Sequence, residues 1–215
     1  MLRYSILLEH WDMYLQGFAN TLKASVLALI GSLVIGIIIA IFRIAPIHPL
    51  NWIGTIYVEF IRNIPLILIV FVFFVGFPAI GIRFDSFTAG TLGLMVYTAA
   101  FIAEVIRSGI LAVPKGQMEA ARSSGLTYIQ TLWYIILPQA LRRMVPPIVS
   151  QFISLLKDTS LAIVISLPEL MNHAQIINGR NVNYVIPIFI LVALMYFVVN
   201  YSLSLVSRRL EYRQR

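Results

Sequence analysis

Cysteine is absent from the 215 residues, and charged residues are scarce. The absence of cysteine excludes a disulfide framework and any metal site built on thiolates. Asp, Glu, Lys and Arg make up 12% of the chain, whereas about a quarter is typical of soluble domains. Hydrophobic residues account for 60%, and the mean hydropathy is +0.88. The composition therefore excludes an ordinary soluble domain and predicts an all-α membrane protein.

The chain also lacks a phosphate-binding loop of the type G-x-x-x-x-G-K-[ST]. Its three histidines, His10, His48 and His173, lie far apart in the sequence. Glu169 stands one helical turn before His173, but two ligands do not make a metal site without a third. We therefore predict no catalytic residue, no metal site, no cofactor in this chain and no enzymatic activity of its own.

The net charge of +7 has two explanations. One is binding to nucleic acid. The other is that Lys and Arg flank the cytoplasmic ends of membrane spans, as the positive-inside rule requires. The apolar composition favours the second explanation, so we expect a lipid bilayer and no nucleic acid as a partner.

Long windows without charge predict the membrane spans. A helix needs about 20 apolar residues to cross the hydrocarbon core. Windows of this kind, extended to nearby polar residues, predict five transmembrane helices, at residues 22–42, 58–80, 86–108, 144–168 and 184–207. With five spans and a cytoplasmic C-terminus, most of the 16 basic residues fall on the cytoplasmic side. We therefore expect the N-terminus outside and the C-terminus in the cytoplasm.

The fourth span is ambiguous because Lys157 and Asp158 interrupt it. The alternative is a re-entrant pair of half-helices, which leaves four spans and puts both termini on one side. A lone Lys-Asp pair is not one of the dipeptides that mark turns, so one span is favoured. Residues 1–20 are not predicted to span. Apolar residues recur there at helical spacing between polar ones, which is typical of an amphipathic helix lying in the outer interface.

A polar segment over about residues 111–143 separates the third and fourth spans. Pro114 can open a first helix, and Gly125 is placed to end it in a left-handed cap. A second helix is predicted from Thr127 to Leu137, with a stop near Pro138. Ala120 and Ala121 would give the first helix a small, flat face that suits close approach to another surface. A segment this long is unusual for a plain connection, so we expect it to be ordered.

This segment resembles the EAA loop of ABC importer permeases. The matching positions are Glu119-Ala120-Ala121, Gly125, Ile135 and Leu137-Pro138. The stretches "LQGFANTLKAS", "YVEFIRNIPLIL" and "FISLLKDTSLA" are similar to the polar amino acid subfamily, of the histidine, glutamine and arginine type. The resemblance covers nearly the whole chain and implies a single transmembrane permease domain over residues 1–215, with five spans and an outside N-terminus.

The resemblance implies that residues around Glu119 to Ser124 form a coupling helix, which docks in a groove of a separate ATPase subunit. Glu119 would anchor it by charged hydrogen bonds, Arg122 would add a rim contact, and Gly125 would let the backbone turn. The implied partners are two ABC ATPase subunits that use ATP and Mg, a second copy or a similar permease, and an extracytoplasmic amino-acid-binding protein. The implied location is the bacterial inner membrane.

Two other functions remain alternatives to amino acid import by an ABC transporter. One is a secondary transporter or channel driven by an ion gradient, for which charges inside the fourth span are the best support. Against it stand the small number of spans and the lack of an inverted repeat. The other is a membrane-anchored interaction protein without a transport role. Acidic, basic and amide amino acids all remain possible substrates.

Charges inside a span are costly and usually face a water-filled path or a partner. We predict that Asp158, with Lys157, Thr159, Ser160 and Glu59, lines the substrate path, and that Asp158 contacts an ammonium group. The alternative is a pair of buried structural charges. Glu59 with Arg62, and Glu104 with Arg107, are spaced one helical turn apart near cytoplasmic span ends. They are interpreted as ion pairs at the interface or as gate or docking contacts. Glycines in the spans are expected to serve helix packing.

Overall fold

The computed structural model describes residues 5–180 and 184–212. The chain is built from helices, in the order α1 (Ser5–Glu9), α2 (Trp11–Ile44), α3 (His48–Arg62), α4 (Leu66–Phe71), α5 (Phe77–Ala79), α6 (Ser86–Leu111), α7 (Lys115–Ser123), α8 (Tyr128–Thr131), α9 (Leu137–Asp158), α10 (Leu170–Arg180) and α11 (Val185–Tyr212). A π-helical turn joins α4 to α5 at Val72–Gly76, and another joins α8 to α9 at Leu132–Ile136. A 3₁₀ segment, Thr159–Ile165, follows α9.

Among the described residues, four helices are long and apolar enough to cross a membrane. They are Trp11–Ile44, Ser86–Leu111, Tyr128–Ile165 and Val185–Leu210. A fifth candidate is the pair His48–Arg62 and Leu66–Ala79, which is bent by 106° at its break. The predicted windows fall on these helices, and the protein is an all-helical integral membrane protein with four or five spans.

Small residues let α2 and α6 pack closely along their length. Ala24, Ala28 and Ala40 of α2 are fully buried, as are several alanines of α6. A Cβ added at Gly36 would lie 2.7 Å from the Ile102 side chain, and one added at Gly31 would overlap Met95. These glycines therefore stand where a neighbouring side chain occupies the space of a Cβ, as helix packing in membranes favours.

The prediction of a separate interfacial helix over residues 1–20 is wrong from Trp11 onward. Residues 11–20 form the first turns of α2, which continues without a break into the first span. Tyr14 is fully buried among Leu170, Ala174 and residues of α11. Gly17 packs against the backbone of Leu170. No proline or turn residue interrupts this stretch, so the helix extends beyond the apolar window. Residues 1–4 lie outside the described residues.

The second predicted span is divided at residues 63–65. Pro65 has no N–H and restricts the residue before it to extended conformations, which ends α3 and lets α4 start in a new direction. α3 is fixed to α6 by Tyr57, whose hydroxyl donates to the Val96 carbonyl at 2.7 Å. Ile61 packs against Ile69 and Ala100 across the bend. The bend is therefore a packed feature of the fold.

The predicted helix stop near Pro138 is also wrong. Helix runs on from Tyr128 to Asp158, and Pro138 lies in the first turn after the π-helical segment Leu132–Ile136. Pro78 stands at the same place after the other π-helical turn. Proline in a regular helix clashes with the carbonyl four residues earlier, and a wider π turn relieves that crowding. Both prolines are thus accommodated without ending the helix.

The end of the fourth span is held by a buried carboxylate. Ser166 has φ +55° and turns the chain after the 3₁₀ segment. Glu169, fully buried, accepts hydrogen bonds from the backbone N–H groups of Met171 and Asn172 and from the Tyr196 hydroxyl. Burial raises the pKa of Glu169. The carboxylate thereby joins the start of α10 to α11.

Candidate functional site

The helix α7 ends in a complete Schellman motif. The Leu126 N–H donates to the Ala121 carbonyl at 3.2 Å, and the Gly125 N–H donates to the Arg122 carbonyl at 3.0 Å. Gly125 has φ +89°, which a residue with a Cβ rarely adopts. The Arg122 guanidinium also donates to the Leu126 carbonyl at 3.1 Å. Gly125 therefore ends the helix in the left-handed conformation that the sequence predicts.

The next helix starts two residues later with a capping box. The Thr127 hydroxyl accepts from the Gln130 N–H, and the Gln130 side chain accepts from the Thr127 N–H. These two bonds satisfy N–H groups at the start of α8. The turn between α7 and α8 is thus fixed by local hydrogen bonds on both sides, and the two helices form a defined hairpin.

The hairpin is fastened to α9 and to the end of α6. Met118 packs with Val113, Ile136 and Met144. The Arg143 guanidinium donates to the Ala112 carbonyl. The Gln139 amide lies 3.4 Å from the Gln117 amide oxygen. α7 is therefore joined by direct contacts to the start of α9 and to the end of α6.

The residues predicted to couple the chain to a partner fall into two groups. Glu119, Ala120, Arg122 and Gly125 are exposed. Ala121 is only 8% exposed and faces inward, so the two alanines do not share one flat outer face. Leu137 is half-buried and Pro138 exposed, at the start of α9. Within the described part of the chain, the Glu119 side chain has no hydrogen-bond or ion-pair partner.

A cavity of about 260 Å³ lies between α6 and α9. Its walls are Tyr97, Thr98, Phe101, Gln151, Ser154, Leu155 and Asp158. The four residues from α9 recur at the spacing of one helical face. Their spacing and polarity are visible in the sequence, yet only Asp158 among these residues was predicted to line a site. The cavity combines an aromatic wall with one carboxylate and several neutral polar groups.

The other residues predicted for the substrate path do not line this cavity. Thr159 is fully buried, and its hydroxyl donates to the Leu156 carbonyl at 2.8 Å. The Ser160 hydroxyl donates to the Lys157 carbonyl at 2.7 Å, and the Lys157 side chain is exposed. Both hydroxyls are thus committed to the helix backbone. Glu59 is exposed on α3, away from these residues in the chain.

The two predicted ion pairs differ in outcome. The Arg107 guanidinium lies 2.6 Å from the Glu104 carboxylate, as predicted. Glu104 also binds Arg43 of α2, whose side chain is only 9% exposed. Among the described residues, Glu59 and Arg62 form no ion pair; the Arg62 guanidinium instead lies 5.4 Å from the centre of the Phe101 ring. The contacts of Glu104 with Arg43 and of Arg62 with Phe101 join different helices, and sequence spacing alone does not predict them.

Comparison with known protein families shows the family of this chain. The family described as "Binding-protein-dependent transport system inner membrane component" matches residues 32–215. The chain belongs to this family. The match includes both the α7–α8 hairpin and the cavity, so each is part of the permease domain.

Two curated relatives match the permease over nearly its full length. A probable glutamine ABC transporter permease protein of Bacillus subtilis (strain 168), GlnP, is 54% identical over 208 residues, which cover 96% of this chain and 95% of the relative. A second from the same organism, GlnM, also described as a probable glutamine permease, is 51% identical over 209 residues, covering 97% and 96%.

A solved structure has the same fold as the permease. A chain of an amino acid ABC transporter, crystallised with histidines, superposes with a TM-score of 0.94 at 32% identity and covers 99% of both chains. Among the described residues of the permease, no group of three His, Asp or Glu side chains is arranged to hold a metal ion.

Proposed function

We propose that the chain is the membrane subunit of an ATP-driven importer for a polar amino acid. Two separate ABC ATPase subunits would bind ATP and Mg on the cytoplasmic side of the bacterial inner membrane. A second copy or a similar permease would complete the pore, and an extracytoplasmic binding protein would deliver substrate. The full-length match to amino acid permeases carries this proposal.

The α7–α8 hairpin is the proposed contact with the ATPase. Glu119 and Ala120 are exposed on α7, and the Glu119 carboxylate has no partner within the described residues. A carboxylate of this kind is free to accept charge-assisted hydrogen bonds from another subunit. Because α7 is fastened to α9 and α6, closure of the ATPase pair would move these spans as rigid bodies.

The proposed orientation puts the N-terminus outside and the hairpin in the cytoplasm. Lys115 and Arg122 lie on α7, and Arg142 and Arg143 lie near the start of α9. Arg208 and Arg209 stand at the far end of α11. Basic residues cluster at cytoplasmic ends of spans. This orientation puts the six basic residues named above on the cytoplasmic side.

The cavity between α6 and α9 is the proposed substrate path. Asp158 supplies its carboxylate, which suits the ammonium group of an amino acid. The Asp158→Asn variant keeps the shape of the side chain and removes its charge. We expect lower uptake with unchanged protein level and complex assembly. Normal uptake by this variant would exclude Asp158 from substrate binding.

Co-purification and coupled ATP hydrolysis test the proposed function. The chain would be purified with its ATPase subunit, reconstituted in vesicles, and assayed for ATP-dependent uptake of labelled amino acids. We expect Glu119→Ala to weaken the complex and reduce uptake. Glu9→Ala removes an exposed charge from α1, outside the hairpin, and is the matched control.

The alternatives give different results in the same assay. Uptake by the chain alone, driven by an ion gradient and indifferent to ATP, would support a secondary transporter. Absence of both a complex and uptake would leave a membrane-anchored interaction protein. Either result would overturn the importer assignment.

A further inference from the structure

The far end of the fourth span has two uncommon backbone conformations in succession. Seven residues, Thr159–Ile165, continue α9 as a 3₁₀ helix, whereas runs longer than about four residues are uncommon. Ser166 follows with φ +55° and is the one non-glycine residue with positive φ in the described part of the chain. Such conformations persist only where the surrounding structure holds them, and they concentrate in segments that switch. We call residues 159–167 the 3₁₀ loop.

The side chain of Tyr196 on α11 joins the start of the 3₁₀ loop to the chain just after its end. The Tyr196 hydroxyl donates to the Glu169 carboxylate at 2.9 Å. The Thr159 hydroxyl, at the start of the loop, lies beside the same Tyr196 hydroxyl. Thr159 and Glu169 are both fully buried. The loop is therefore closed at its base by one hydroxyl group of another helix.

The chain that follows the 3₁₀ loop is also fixed to α2. The Asn20 amide donates to the Pro168 carbonyl at 2.7 Å, and the Leu170 N–H donates to the Thr21 hydroxyl at 3.1 Å. These two hydrogen bonds do not involve Tyr196. The start of α10 therefore stays on α2 when the contact of Tyr196 with the loop is broken.

The 3₁₀ loop occupies a space that a glycine leaves open on α6. A Cβ added at Gly90 would lie 2.3 Å from the Leu167 side chain and 3.5 Å from the Ala162 Cβ. Ala162 and Leu167 are fully buried, in a cluster that also contains Val70 of α4 and Ala28 of α2. The loop therefore packs between α2, α4 and α6.

We propose that the 3₁₀ loop is a gate at the outer end of the substrate path and that the Tyr196 hydroxyl is the latch that holds it closed. This inference rests on the proposed importer function and orientation. The loop follows directly on Asp158, and α9 is joined to the α7–α8 hairpin, which the ATPase would move. Movement of α9 separates Thr159 from Tyr196, and the loop leaves its place beside Gly90.

Rewinding of the 3₁₀ loop as α-helix gives this movement a size. Seven residues span about 14 Å in a 3₁₀ helix and about 10.5 Å in an α-helix. The rotation from one residue to the next falls from about 120° to about 100°. Ala162, three residues after Thr159, thus turns by about 60° about the helix axis, away from Gly90.

A cysteine in place of Ala162 reports on this movement. The chain has no native cysteine, so labelling of this chain by a water-soluble thiol reagent can be followed in the purified complex of permease and ATPase subunits. We expect a non-hydrolysable ATP analogue with Mg to raise the labelling rate of Ala162→Cys about tenfold, because the rate follows the population of the released state. Ala174→Cys replaces another fully buried alanine, on α10, and its rate stays unchanged.

Tyr196→Phe keeps the ring and removes the hydroxyl. In this variant Ala162→Cys reacts at least about tenfold faster without nucleotide, the effect of losing one hydrogen bond to a charged group. The ATP analogue then adds little. Tyr201→Phe removes an exposed hydroxyl from the same helix and leaves the rates unchanged. If Ala162→Cys does not assemble, Ile165→Cys, 3% exposed in the same loop, takes its place as reporter.

Three results would count against the inference, each in a different way. Equal rates at the reporter with and without the analogue, in a complex that couples ATP hydrolysis to uptake, would overturn the gate and leave the importer function intact. An unaltered nucleotide-free rate in Tyr196→Phe, or an equal rise at Ala174→Cys, would reduce Tyr196 to a structural contact and overturn the latch. Absence of ATP-dependent uptake by the unaltered complex would overturn the importer function and this inference with it.

Discussion

Gly125 and Gly116 are both exposed glycines of the α7 hairpin, yet their backbones differ. A Cβ added at either would meet no atom within 4 Å. Only Gly125 has a left-handed backbone, with φ +89°, whereas Gly116 lies inside α7. The effect of a substitution at these two residues therefore depends on backbone conformation alone.

We expect Gly125→Ala to destabilise the hairpin by about 1 kcal/mol, the cost of a Cβ in the left-handed region. ATP hydrolysis coupled to uptake should fall with it. Gly116→Ala should be neutral or slightly stabilising because alanine favours helix. Thermal unfolding and uptake of both variants provide the measurement. Equal behaviour of the two would contradict a role for the left-handed cap.

Glu104 is the shared partner of Arg43 and Arg107. Glu104→Gln leaves the Arg43 side chain, 9% exposed, without its carboxylate. Removing one partner of a buried ion pair is strongly destabilising, by about 3 kcal/mol. Unfolding of the purified chain by SDS titration provides the measurement. Replacing Arg43 and Glu104 together by methionine should recover most of the loss, and no recovery would contradict the pairing.

Residue roles that depend on local sequence were predictable, and those that depend on contacts between helices were not. The left-handed cap at Gly125 follows from its place after a run of helix formers. The pair of Glu104 with Arg107 follows from helical spacing. The contact of Glu104 with Arg43 and that of Arg62 with Phe101 join residues of different helices. No local pattern specifies them.

The start of α6 is fixed by hydrogen bonds in its first turn. The Asp85 carboxylate accepts from the N–H groups of Phe87 and Thr88 and from the Thr88 hydroxyl. The hydrogen bond from the Thr88 hydroxyl is the main reason that the pKa of Asp85 is lowered. The ionised form of Asp85 therefore stabilises the folded state.

We expect Asp85→Ala to lower stability by about 1 kcal/mol, the usual value of such a cap. Because the folded pKa lies below the unfolded value of about 3.9, the contribution of the charge is complete above that pH. It disappears as pH falls through the lowered folded pKa. Asp85→Asn keeps the acceptor and removes the titration. Unfolding midpoints of the unaltered chain and of Asp85→Asn, measured from neutral to acid pH, test this prediction. The same pH dependence in both proteins would contradict it.

Contact between α4 and α6 depends on Gly93. A Cβ there would lie 3.0 Å from the Val70 Cα, so Gly93→Ala forces the backbone of α4 to move. We expect a loss of about 1–3 kcal/mol, typical of overpacking. Gly179→Ala, with no atom within 4 Å of the added Cβ, is the control. An equal unfolding midpoint for the two variants would contradict the close packing.

At the level of elements, apolar windows predicted where spans occur, because length and hydropathy decide insertion. They did not predict where helices end. Pro138 was expected to stop a helix, and a π-helical turn accommodates it. Conversely, α2 begins at Trp11 because Tyr14 and Gly17 pack against α10. The first outcome depends on local helix geometry and the second on contacts between helices, and hydropathy contains neither.

At the scale of the whole molecule, orientation rests on the distribution of basic residues. Because the chain has no cysteine, a single introduced cysteine can be labelled without replacing any native one first. Ser123 is exposed at the end of α7, and Gln175 is exposed on α10. We expect an impermeant thiol reagent applied to intact cells to label Gln175→Cys and to spare Ser123→Cys. Inverted vesicles should give the opposite pattern, and labelling of Ser123→Cys in intact cells would contradict a cytoplasmic hairpin.

The π-helical turn at Leu132–Ile136 also sets the direction in which α7 and α8 project from the fourth span. Successive residues of an α-helix are rotated by about 100° about its axis. A π-helical turn holds one more residue than an α-helical turn, so it absorbs that residue without the rotation of about 100° that an extra residue in regular helix would cause. If the same residues were wound as regular helix, the face of α7 that carries Glu119 would point to a different quadrant relative to α9. The π-helical turn thus determines the rotation, about the helix axis, of the α7–α8 hairpin relative to the transmembrane helices.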